Sequence, residues 1–392
     1  MGIGYGPRIV TNGLVFAYDQ SNTDKSWKGA PATNAIFASP SWSGDGTDQG
    51  AFAGGSVEIT DPNLMYNGLK TFLYSPKSSL NCYLQGSGSD FPGSNASTVW
   101  TFSCYVKRED GAAISSMQVY MYYPSSDGSA AGTIEDVGNG WYRIYRTRTG
   151  ASNDIGLAGF TSMAGSVKYY LSGAMLTKTD VPVRGLAGTA SRSSTQALLD
   201  LTNNEAITAQ SLTYAADDTF SFDGVTDYIS NTMNLGSDPL FSVNLWIKRT
   251  AAISNGGYWG FGGNGSGNGI SGYTNVAHKI GWDLWGLTTF HTGVDYPLDE
   301  WVNVCWVKHS TTFTTSTLKI YINGVEAPIT TTVRDGGSAV SLVSGFSVGR
   351  ISVNNATYLG TGEVPLCQVY NRALTAAEVA QNFNTHRGRF GI

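Results

Sequence analysis

Charged residues are scarce in this sequence. Asp, Glu, Lys and Arg make up only 14% of its 392 residues, against roughly 25% in an ordinary soluble domain. The formal net charge of −5 at pH 7 offers no basic patch for nucleic acid or for an anionic membrane surface. Ser, Thr, Asn and Gly take the place of the missing charge, as they do on extracellular and virion surfaces. We therefore expect no nucleic-acid partner.

Cysteine is also rare, and no two cysteines form a Cys-x-x-Cys pair. This spacing argues against a zinc knuckle or a redox motif. In apolar runs, such as those around Cys104 and Cys305, a free cysteine serves as a small hydrophobic residue. We expect all of the cysteines to be reduced, as they would be in a bacterial cytosol. They are Cys82, Cys104, Cys305 and Cys367.

Long apolar runs are absent as well. No stretch reaches about 18 apolar residues, so we expect no membrane span. Residues 1–8 lack the basic and then apolar pattern of a signal peptide. With no export signal, such a protein can leave its cell by lysis, as a virion made in the host cytoplasm does, and a virion is the location we expect if it does so.

Side chains typical of hydrolytic sites are not arranged for catalysis. Glycoside hydrolases on β-sandwiches place paired carboxylates at alternate positions of one strand, because only every second side chain faces the cleft. The nearest approach, Asp295 with Asp299 and Glu300, lies in a turn that contains Pro297, and we interpret it as the solvated entry to a hairpin. The histidines have no metal-ligand spacing: His278, His291, His309 and His386. We therefore predict that the protein is not an enzyme.

Glycine and aromatic residues, by contrast, are plentiful. The chain has 49 Gly and 12% aromatic residues, which suits an all-β protein with many tight turns. Residues 318–322 alternate apolar and polar side chains, the period of a strand with one buried face. Asn323-Gly324 then supplies the two positive-φ residues of a type I′ hairpin turn. Upstream, residues 301–308 read as a strand rich in aromatic and β-branched residues.

Two parts of the chain share one pattern. Residues 102–108 and 241–249 both run from Phe-Ser through an apolar strand to a basic pair. Each is followed by a glycine-rich loop, a strand that opens on Trp (Trp141 and Trp301) and a closing strand. Two unrelated strands that end at solvent would look alike, but the repeated series favours two related β-sandwiches in tandem.

The end of the chain carries the one convincing helix signal. Thr375 and Glu378 have the spacing of a capping box, in which each side chain bonds the backbone N–H of the other. Val379 and Phe383, four residues apart, make an apolar face. We predict a helix over about residues 374–385 and almost no other helix.

Several of these segments resemble one known family. The hairpin LKIYINGVE, preceded by an acidic turn and a strand that opens on Trp, resembles the centre of a laminin-G/concanavalin A-like jelly roll. Residues 370–384, YNRALTAAEVAQNFN, are similar to the C-terminal signature YNRALSxxEIxQNF of laminin-G-like proteins of tailed bacteriophages. The ending RGRFGI at 387–392 resembles that of marine, cyanophage-type members. The resemblance implies an all-β fold of antiparallel jelly-roll sandwiches with a binding or structural role.

The order of these family elements predicts an insertion. Residues 9–19 resemble the opening strand of the family, whereas the pieces that normally follow it appear only after residue 196. The sandwich between them resembles a carbohydrate-binding-module-like jelly roll. We predict one discontinuous laminin-G/concanavalin A-like domain, formed by residues 1–30 and 187–392, with residues 31–186 inserted into its first loop as a second jelly roll.

Five aromatic residues crowd around the glycine-rich stretch at 256–269. Sugars stack their C–H faces on such rings, and the same rings can equally fill a sandwich core. The sequence leaves both alternatives open for these predicted glycan-binding residues. They are Tyr258, Trp259, Tyr273, Trp282 and Trp285.

Calcium is the one cofactor that the resemblance raises. Laminin-G-like domains often hold Ca²⁺ at the sandwich rim through carboxylate and backbone oxygens, which are its preferred ligands. Asp223 and Asp227 flank a turn and are weak candidate ligands. Alternatively, each side chain bonds the backbone of its own turn. We assign no metal and no other cofactor.

Two functions of different class remain. The first is a structural component of a tailed-phage virion, a head or tail decoration or a fibre part, with other virion proteins and further copies of itself as partners. The alternative is a glycan-binding adhesin that recognises host surface polysaccharide. The family-specific ending and the uncharged surface favour the first, and the aromatic loop favours the second.

Overall fold

The computed structural model describes most of the chain as antiparallel β-sheet. The described residues are 8–33, 54–76, 82–85, 99–122, 128–149, 157–161, 163–164, 167–185, 191–215, 219–252, 256–263, 269–274, 278–284, 287–312, 314–334, 340–352 and 360–392. The paired strands of each sheet run antiparallel, and the C-terminal helix is short. The predicted all-β fold class is therefore confirmed.

The elements are numbered in chain order. Up to residue 192 the strands are β1 (Leu14–Asp19), β2 (Ala32–Thr33), β3 (Gly54–Ile59), β4 (Thr71–Pro76), β5 (Cys82–Gln85), β6 (Val99–Arg108), β7 (Gln118–Tyr122), β8 (Ser129–Ala131), β9 (Thr133–Gly138), β10 (Trp141–Thr149), β11 (Leu157–Thr161), β12 (Tyr169–Thr177) and β13 (Ser191–Arg192). The later strands are β14 (Thr208–Gln210), β15 (Thr213–Tyr214), β16 (Phe220–Asp223), β17 (Tyr228–Asn231), β18 (Gly236–Ser237), β19 (Phe241–Lys248), β20 (Gly257–Gly262), β21 (Gly269–Thr274), β22 (Lys279–Leu284), β23 (Thr288–Asp295), β24 (Trp301–Lys308), β25 (Leu318–Ile322), β26 (Val325–Ala327), β27 (Ile329–Arg334), β28 (Ser341–Leu342), β29 (Phe346–Val348) and β30 (Thr361–Tyr370). The helices are α1 (Ser194–Ala197) and α2 (Ala376–His386), and 3₁₀ turns lie at Pro62–Leu64 and Arg387–Phe390. Among the described residues, no helix combines the length and the apolarity needed to cross a bilayer.

The described parts of residues 1–28, 194–215 and 219–392 form one compact unit. One of its sheets has the strand order β15-β16-β30-β19-β24-β25-β26, with β1 also paired to β30. The other has the order β14-β17-β29-β20-β21-β22-β23-β27. Apolar side chains of both sheets share one core, and removing this surface from water is the main favourable term in folding. The tryptophans of this core are Trp27, Trp259, Trp282 and Trp306.

The hairpin of β25 and β26 has the predicted geometry. Asn323 and Gly324 have φ angles of 50° and 79°, both positive as a type I′ turn requires. Ile322 pairs with Val325 across this turn. Strand β25 pairs with β26 on one side and with β24 on the other. The two strands that the sequence predicts at residues 301–308 and 318–322 are therefore neighbours in the sheet.

Strand β1 is shorter than the sequence indicates. The resemblance to the family's opening strand implies a strand over residues 9–19, but β1 begins at Leu14. A turn precedes it, because the Leu14 amide donates to the Thr11 carbonyl (3.1 Å) and Gly13 has a φ of 75°. Strand β1 pairs with β30, which in turn pairs with β19. The opening segment is thereby tied to strands from the far part of the chain.

Helix α2 begins as predicted. The Thr375 side chain accepts from the Glu378 amide, and the Glu378 side chain accepts from the Thr375 amide. Arg372 donates to both carboxylate oxygens of Glu378, at 2.9 and 2.6 Å. Phe383 of α2 stacks on Trp246 of β19, with ring centroids 5.8 Å apart. The capping box is confirmed, and the helix packs on the sheet face that carries Trp246.

The same sheet contains a ladder of buried amides. The Asn303 side chain donates to Asn244 Oδ1 (3.0 Å), and the Asn244 side chain donates to Gln368 Oε1 (2.9 Å). These residues lie on the neighbouring strands β24, β19 and β30. A buried amide without a partner costs free energy, so the ladder favours this one register of the three strands.

The described parts of residues 29–193 belong to a second compact unit. Its larger sheet has the order β3-β4-β12-β6-β10-β9, and its smaller sheet has the order β5-β11-β7-β8. Phe102 and Phe160, one from each sheet, meet edge to face with ring centroids 5.5 Å apart. A separate cluster on the larger sheet includes Tyr66 stacked on Tyr105, at 3.9 Å between centroids. This unit is also a two-sheet sandwich.

The chain leaves the first unit after Lys28 and re-enters it at Ser194. The insertion of residues 31–186 into a domain formed by residues 1–30 and 187–392 stays a prediction. The pairing of β1 with β30 supports it, because it joins the opening segment to the C-terminal sandwich.

Three of the cysteines are free and buried: Cys104, Cys305 and Cys367. Burial raises the pKa of each of these thiols, which keeps them protonated and suits small apolar side chains in a core. The side chain of Cys82 lies outside the described residues.

Candidate functional site

Four of the five predicted glycan-binding aromatics lie in the protein interior. Tyr258, Trp259, Tyr273 and Trp282 expose only 3%, 0%, 7% and 1% of their surface. Trp259 and Trp282 pack edge to face with ring centroids 5.6 Å apart. Because protein atoms cover these rings, a sugar has no face to stack on, and we correct their expected role from glycan contact to core packing. Trp285 lies outside the described residues.

A glycine beside these rings is the signal that could have revealed their burial. A Cβ atom on Gly272 would lie 2.1 Å from Trp259 Nε1 and 2.7 Å from Trp306 Cε2. Gly272 on β21 therefore makes room for two indoles rather than for a flexible loop. Glycine opposite tryptophan on paired strands indicates close packing of the ring against the backbone.

The two candidate calcium ligands are held by their own turn. The Asp223 carboxylate accepts from the amides of Val225, Thr226 and Asp227, at 2.7, 2.8 and 3.0 Å. Asp227 accepts from the Asp223 amide (3.1 Å) and from Thr213. Partial burial raises the pKa of Asp223, but these donors outweigh it and the pKa is lowered. This is the turn-bonding alternative left open by the sequence.

Within the described ranges, no three His, Cys, Asp or Glu side chains converge in a way that could hold a metal ion. Asp223 and Asp227 stay weak candidate ligands only, with no metal assigned to them.

A pocket of about 450 Å³ opens at the rim of the larger sandwich, which is the sandwich of the first compact unit. We call it the rim pocket and define it by two aromatic residues, two carboxylates, one amide and an aliphatic wall. The aromatic and polar lining residues are Trp301, Phe390, Asp295, Glu300 and Asn323. The aliphatic wall includes Ile280, Val294, Val302 and Ile322.

The turn between β23 and β24 builds one side of the rim pocket. Strand β23 belongs to one sheet and β24 to the other, so the turn crosses the open edge between them. Asp295 ends β23 and Trp301 begins β24. This crossing brings Asp295 and Glu300 to a common pocket. Their proximity could not be found by searching for carboxylates at alternate positions of one strand, because the two residues lie at the two ends of a turn.

The aromatic side of the rim pocket is held by stacking. Phe390 stacks on Trp246, with ring centroids 4.1 Å apart and ring planes 13° apart. Phe390 also contacts Trp301, at 4.8 Å between centroids. The Lys248 ammonium lies 5.7 Å from the centre of the Trp301 ring. Trp301 is therefore fixed from two directions while still lining the pocket.

The two carboxylates of the rim pocket differ in pairing. Asp295 forms an ion pair with Lys279 at 2.6 Å, and its side chain is 78% exposed. Glu300 is exposed. The general acid of a glycosidase typically lies in an apolar, buried setting, and neither carboxylate has one. Both carboxylates can accept hydrogen bonds from a ligand in the pocket.

Residues 223–380 match the family model of the concanavalin A-like lectin/glucanases superfamily. The segment spans the rim-pocket residues from 280 to 323 but not Phe390. This part of the chain is thus a lectin-like jelly roll. No curated protein sequence matches the chain.

Solved structures with a related arrangement share little sequence with this chain. A sialidase from Trypanosoma rangeli, in complex with sialic acid, is 12% identical, with a TM-score of 0.40, over 86% of this chain and 54% of its own. Domain 4 of the GH43 extracellular arabinanase AbnA from Geobacillus stearothermophilus, in complex with arabinotriose, is 17% identical, with a TM-score of 0.34, over 48% and 92%. A SAP-like pentraxin from Limulus polyphemus is 16% identical, with a TM-score of 0.33, over 44% and 80%. At such scores these likenesses carry no conclusion about ligand or activity.

Proposed function

We propose that this protein is a non-enzymatic β-sandwich protein that binds a glycan in the rim pocket. The observation that carries the proposal is the combination, within a concanavalin A-like segment, of Trp301 with two carboxylates at an open pocket. An indole offers a flat apolar face for the C–H groups of a sugar ring. Carboxylate and amide oxygens accept hydrogen bonds from sugar hydroxyls, and charged acceptors form the stronger bonds.

The size of the rim pocket fits this use. Its volume of about 450 Å³ falls within the roughly 300–1,000 Å³ of typical small-molecule sites. Asn323 lies at the tip of a rigid type I′ turn, and its side chain already accepts from the Asn303 amide at 2.9 Å. A pocket wall fixed in this way lowers the ordering cost of binding.

The test is a screen on an array of neutral, acidic and amino-sugar oligosaccharides, followed by calorimetric titration of the best ligand. We expect Trp301→Ala to weaken binding about tenfold or more, since lost ring contact of about 1.4 kcal/mol corresponds to tenfold. Glu300→Gln should weaken it less.

The matched control is Asp299→Asn, which changes an adjacent carboxylate that does not line the pocket. Asp299 has a φ of 57°, and asparagine tolerates this conformation. Its affinity should equal that of the unaltered protein. Glycan binding that Trp301→Ala and Glu300→Gln leave unchanged would place the site elsewhere.

A second candidate function is a structural role in a tailed-phage virion, as a head or tail decoration or a fibre component. The observation that favours it is the resemblance of residues 370–392 to the ending of tailed-phage family members. Other virion proteins and further copies of the chain would be its partners, and the virion its location. Mass spectrometry and density maps of purified particles test this role, and absence of the protein from the particles would exclude it.

A further inference from the structure

The proposed function leaves the class of sugar open, and the charges around the rim pocket address it. Resting on that function, we infer that the rim pocket selects glycans that carry a free amino group, bound as its ammonium form. Acidic sugars, such as sialic and uronic acids, are disfavoured. Three properties of the pocket support this inference: its charge, its ring and its wall.

The charge of the rim pocket is negative. Asp295 and Glu300 are the acidic residues of its lining, and no Lys, Arg or His lines it among the described residues. Lys279 neutralises Asp295 at 2.6 Å, whereas no ion pair of Glu300 occurs in the described part of the chain. The nearby Lys248 is engaged with Glu363 at 3.4 Å. One uncompensated carboxylate therefore faces the ligand.

The ring of Trp301 already accommodates an ammonium group. Lys248 Nζ lies 5.7 Å from the ring centre, within the range of a cation–π attraction. Because Glu363 compensates the charge of Lys248 at 3.4 Å, a ligand ammonium at the accessible part of the ring meets the negative face of the indole with little repulsion from Lys248. A sugar carboxylate at this place would instead meet the negative face of the ring and the charge of Glu300.

The aliphatic wall makes the pocket suitable for an amino sugar rather than for a bare cation. Val294, Val302 and Ile322 offer apolar surface on which the C–H face of a sugar ring can be buried. A small hydrated cation gains nothing from such a wall. The inferred ligand has an apolar ring face against the wall and an ammonium group towards Glu300.

The experiment compares one trisaccharide in two forms. The β-1,4-linked glucosamine trisaccharide and its fully N-acetylated form are titrated into the full-length protein, with sialyllactose and lysine amide as further probes. The free amine should bind about tenfold tighter than the N-acetylated form, from an exposed ion pair and a cation–π contact acting together. The difference should shrink at high salt, which screens exposed charges.

Two variants separate the possible outcomes. Glu300→Gln should remove most of the preference for the amine, and Asp299→Asn should keep it. Equal binding of both trisaccharides, or tighter binding of sialyllactose, overturns the inference but leaves glycan binding intact. Lysine amide binding as tightly as the amine trisaccharide would show recognition of ammonium alone and overturn the sugar assignment. If no saccharide binds, both the inference and the proposed function fail.

Discussion

Trp259 stands at the centre of the larger sandwich, in contact with two other indoles. Its ring centroid lies 5.6 Å from that of Trp282 and 5.8 Å from that of Trp306, both edge to face. Trp306 Nε1 donates to the Gly281 carbonyl at 2.9 Å. Such edge-to-face pairs add to the free energy gained from burial alone, so the cluster joins the two sheets at a few large side chains.

Replacement of Trp282 by alanine should therefore destabilise the protein without defining a ligand site. We expect Trp282→Ala to lower the free energy of unfolding by about 3–5 kcal/mol, as for other large-to-small core changes, measured by urea denaturation. The control is Val325→Ala. Val325 is 70% exposed, so this change should alter the free energy of unfolding little. The milder Trp282→Phe should leave the affinity of the folded protein for glycan unaltered. If the Trp282→Phe protein is fully folded but binds glycan more weakly, Trp282 would have the glycan-contact role that the sequence first suggested.

Residue-level roles were the hardest to predict from the sequence. A tryptophan in a strand faces core or solvent according to register, and register depends on partner strands far along the chain. The hydrogen bonds of Asp223 and Asp227, by contrast, could be expected from the local sequence. An Asp beside a turn commonly accepts hydrogen bonds from the backbone of that turn. The rim pocket could not be predicted, since Asp295, Trp301 and Phe390 meet only after both sheets form.

Single elements follow more directly from local rules. The capping box at Thr375 and the Asn323-Gly324 turn were predictable because each depends on backbone geometry within four residues. The family resemblance placed the start of β1 too early, because Gly13 opens a turn that the resemblance does not reveal. Strand order could not be read in this way, as β1 and β30 pair across almost the whole chain.

The link between Arg372 and Glu378 makes helix α2 sensitive to acid. The Arg372 guanidinium, followed by the Thr375 donors, lowers the pKa of Glu378 from 4.5 to about 2. A carboxyl group with a lowered folded-state pKa stabilises the fold above its unfolded pKa and loses that effect as the pH falls towards its folded pKa. The loss should thus occur between about pH 4.5 and pH 2.

We therefore expect the unaltered protein to lose more stability between pH 5 and pH 2 than Glu378→Gln does. The difference should be about 1 kcal/mol, because the pair is partly exposed and screened by solvent. Denaturant titrations across this pH range measure it. Glu326→Gln, which alters an exposed pair with Lys319, should follow the unaltered protein. Parallel curves for Glu378→Gln and the unaltered protein would contradict the assignment.

At the scale of the whole chain, the second compact unit interrupts the sequence of the first. In the first unit, the ends that flank the second unit come together. Lys28 N donates to the Ala197 carbonyl at 2.8 Å, and Trp27 forms an isolated bridge with Leu198. Insertions are tolerated where the two ends lie close together in this way.

Removal of the inserted part should accordingly leave the first unit folded. We expect a chain in which a short Gly-Ser linker joins Lys28 to Ser194 to unfold in one cooperative transition and to keep glycan binding, since every rim-pocket residue lies beyond residue 279. Circular dichroism melting and titration with the same glycan measure this. The complementary chain without residues 1–28 loses β1 from its place beside β30 and should melt lower or aggregate, because an edge of β30 is left unpaired. An unfolded linker-joined chain together with a stable chain lacking residues 1–28 would show that the opening segment does not belong to the C-terminal sandwich, and the insertion would be rejected.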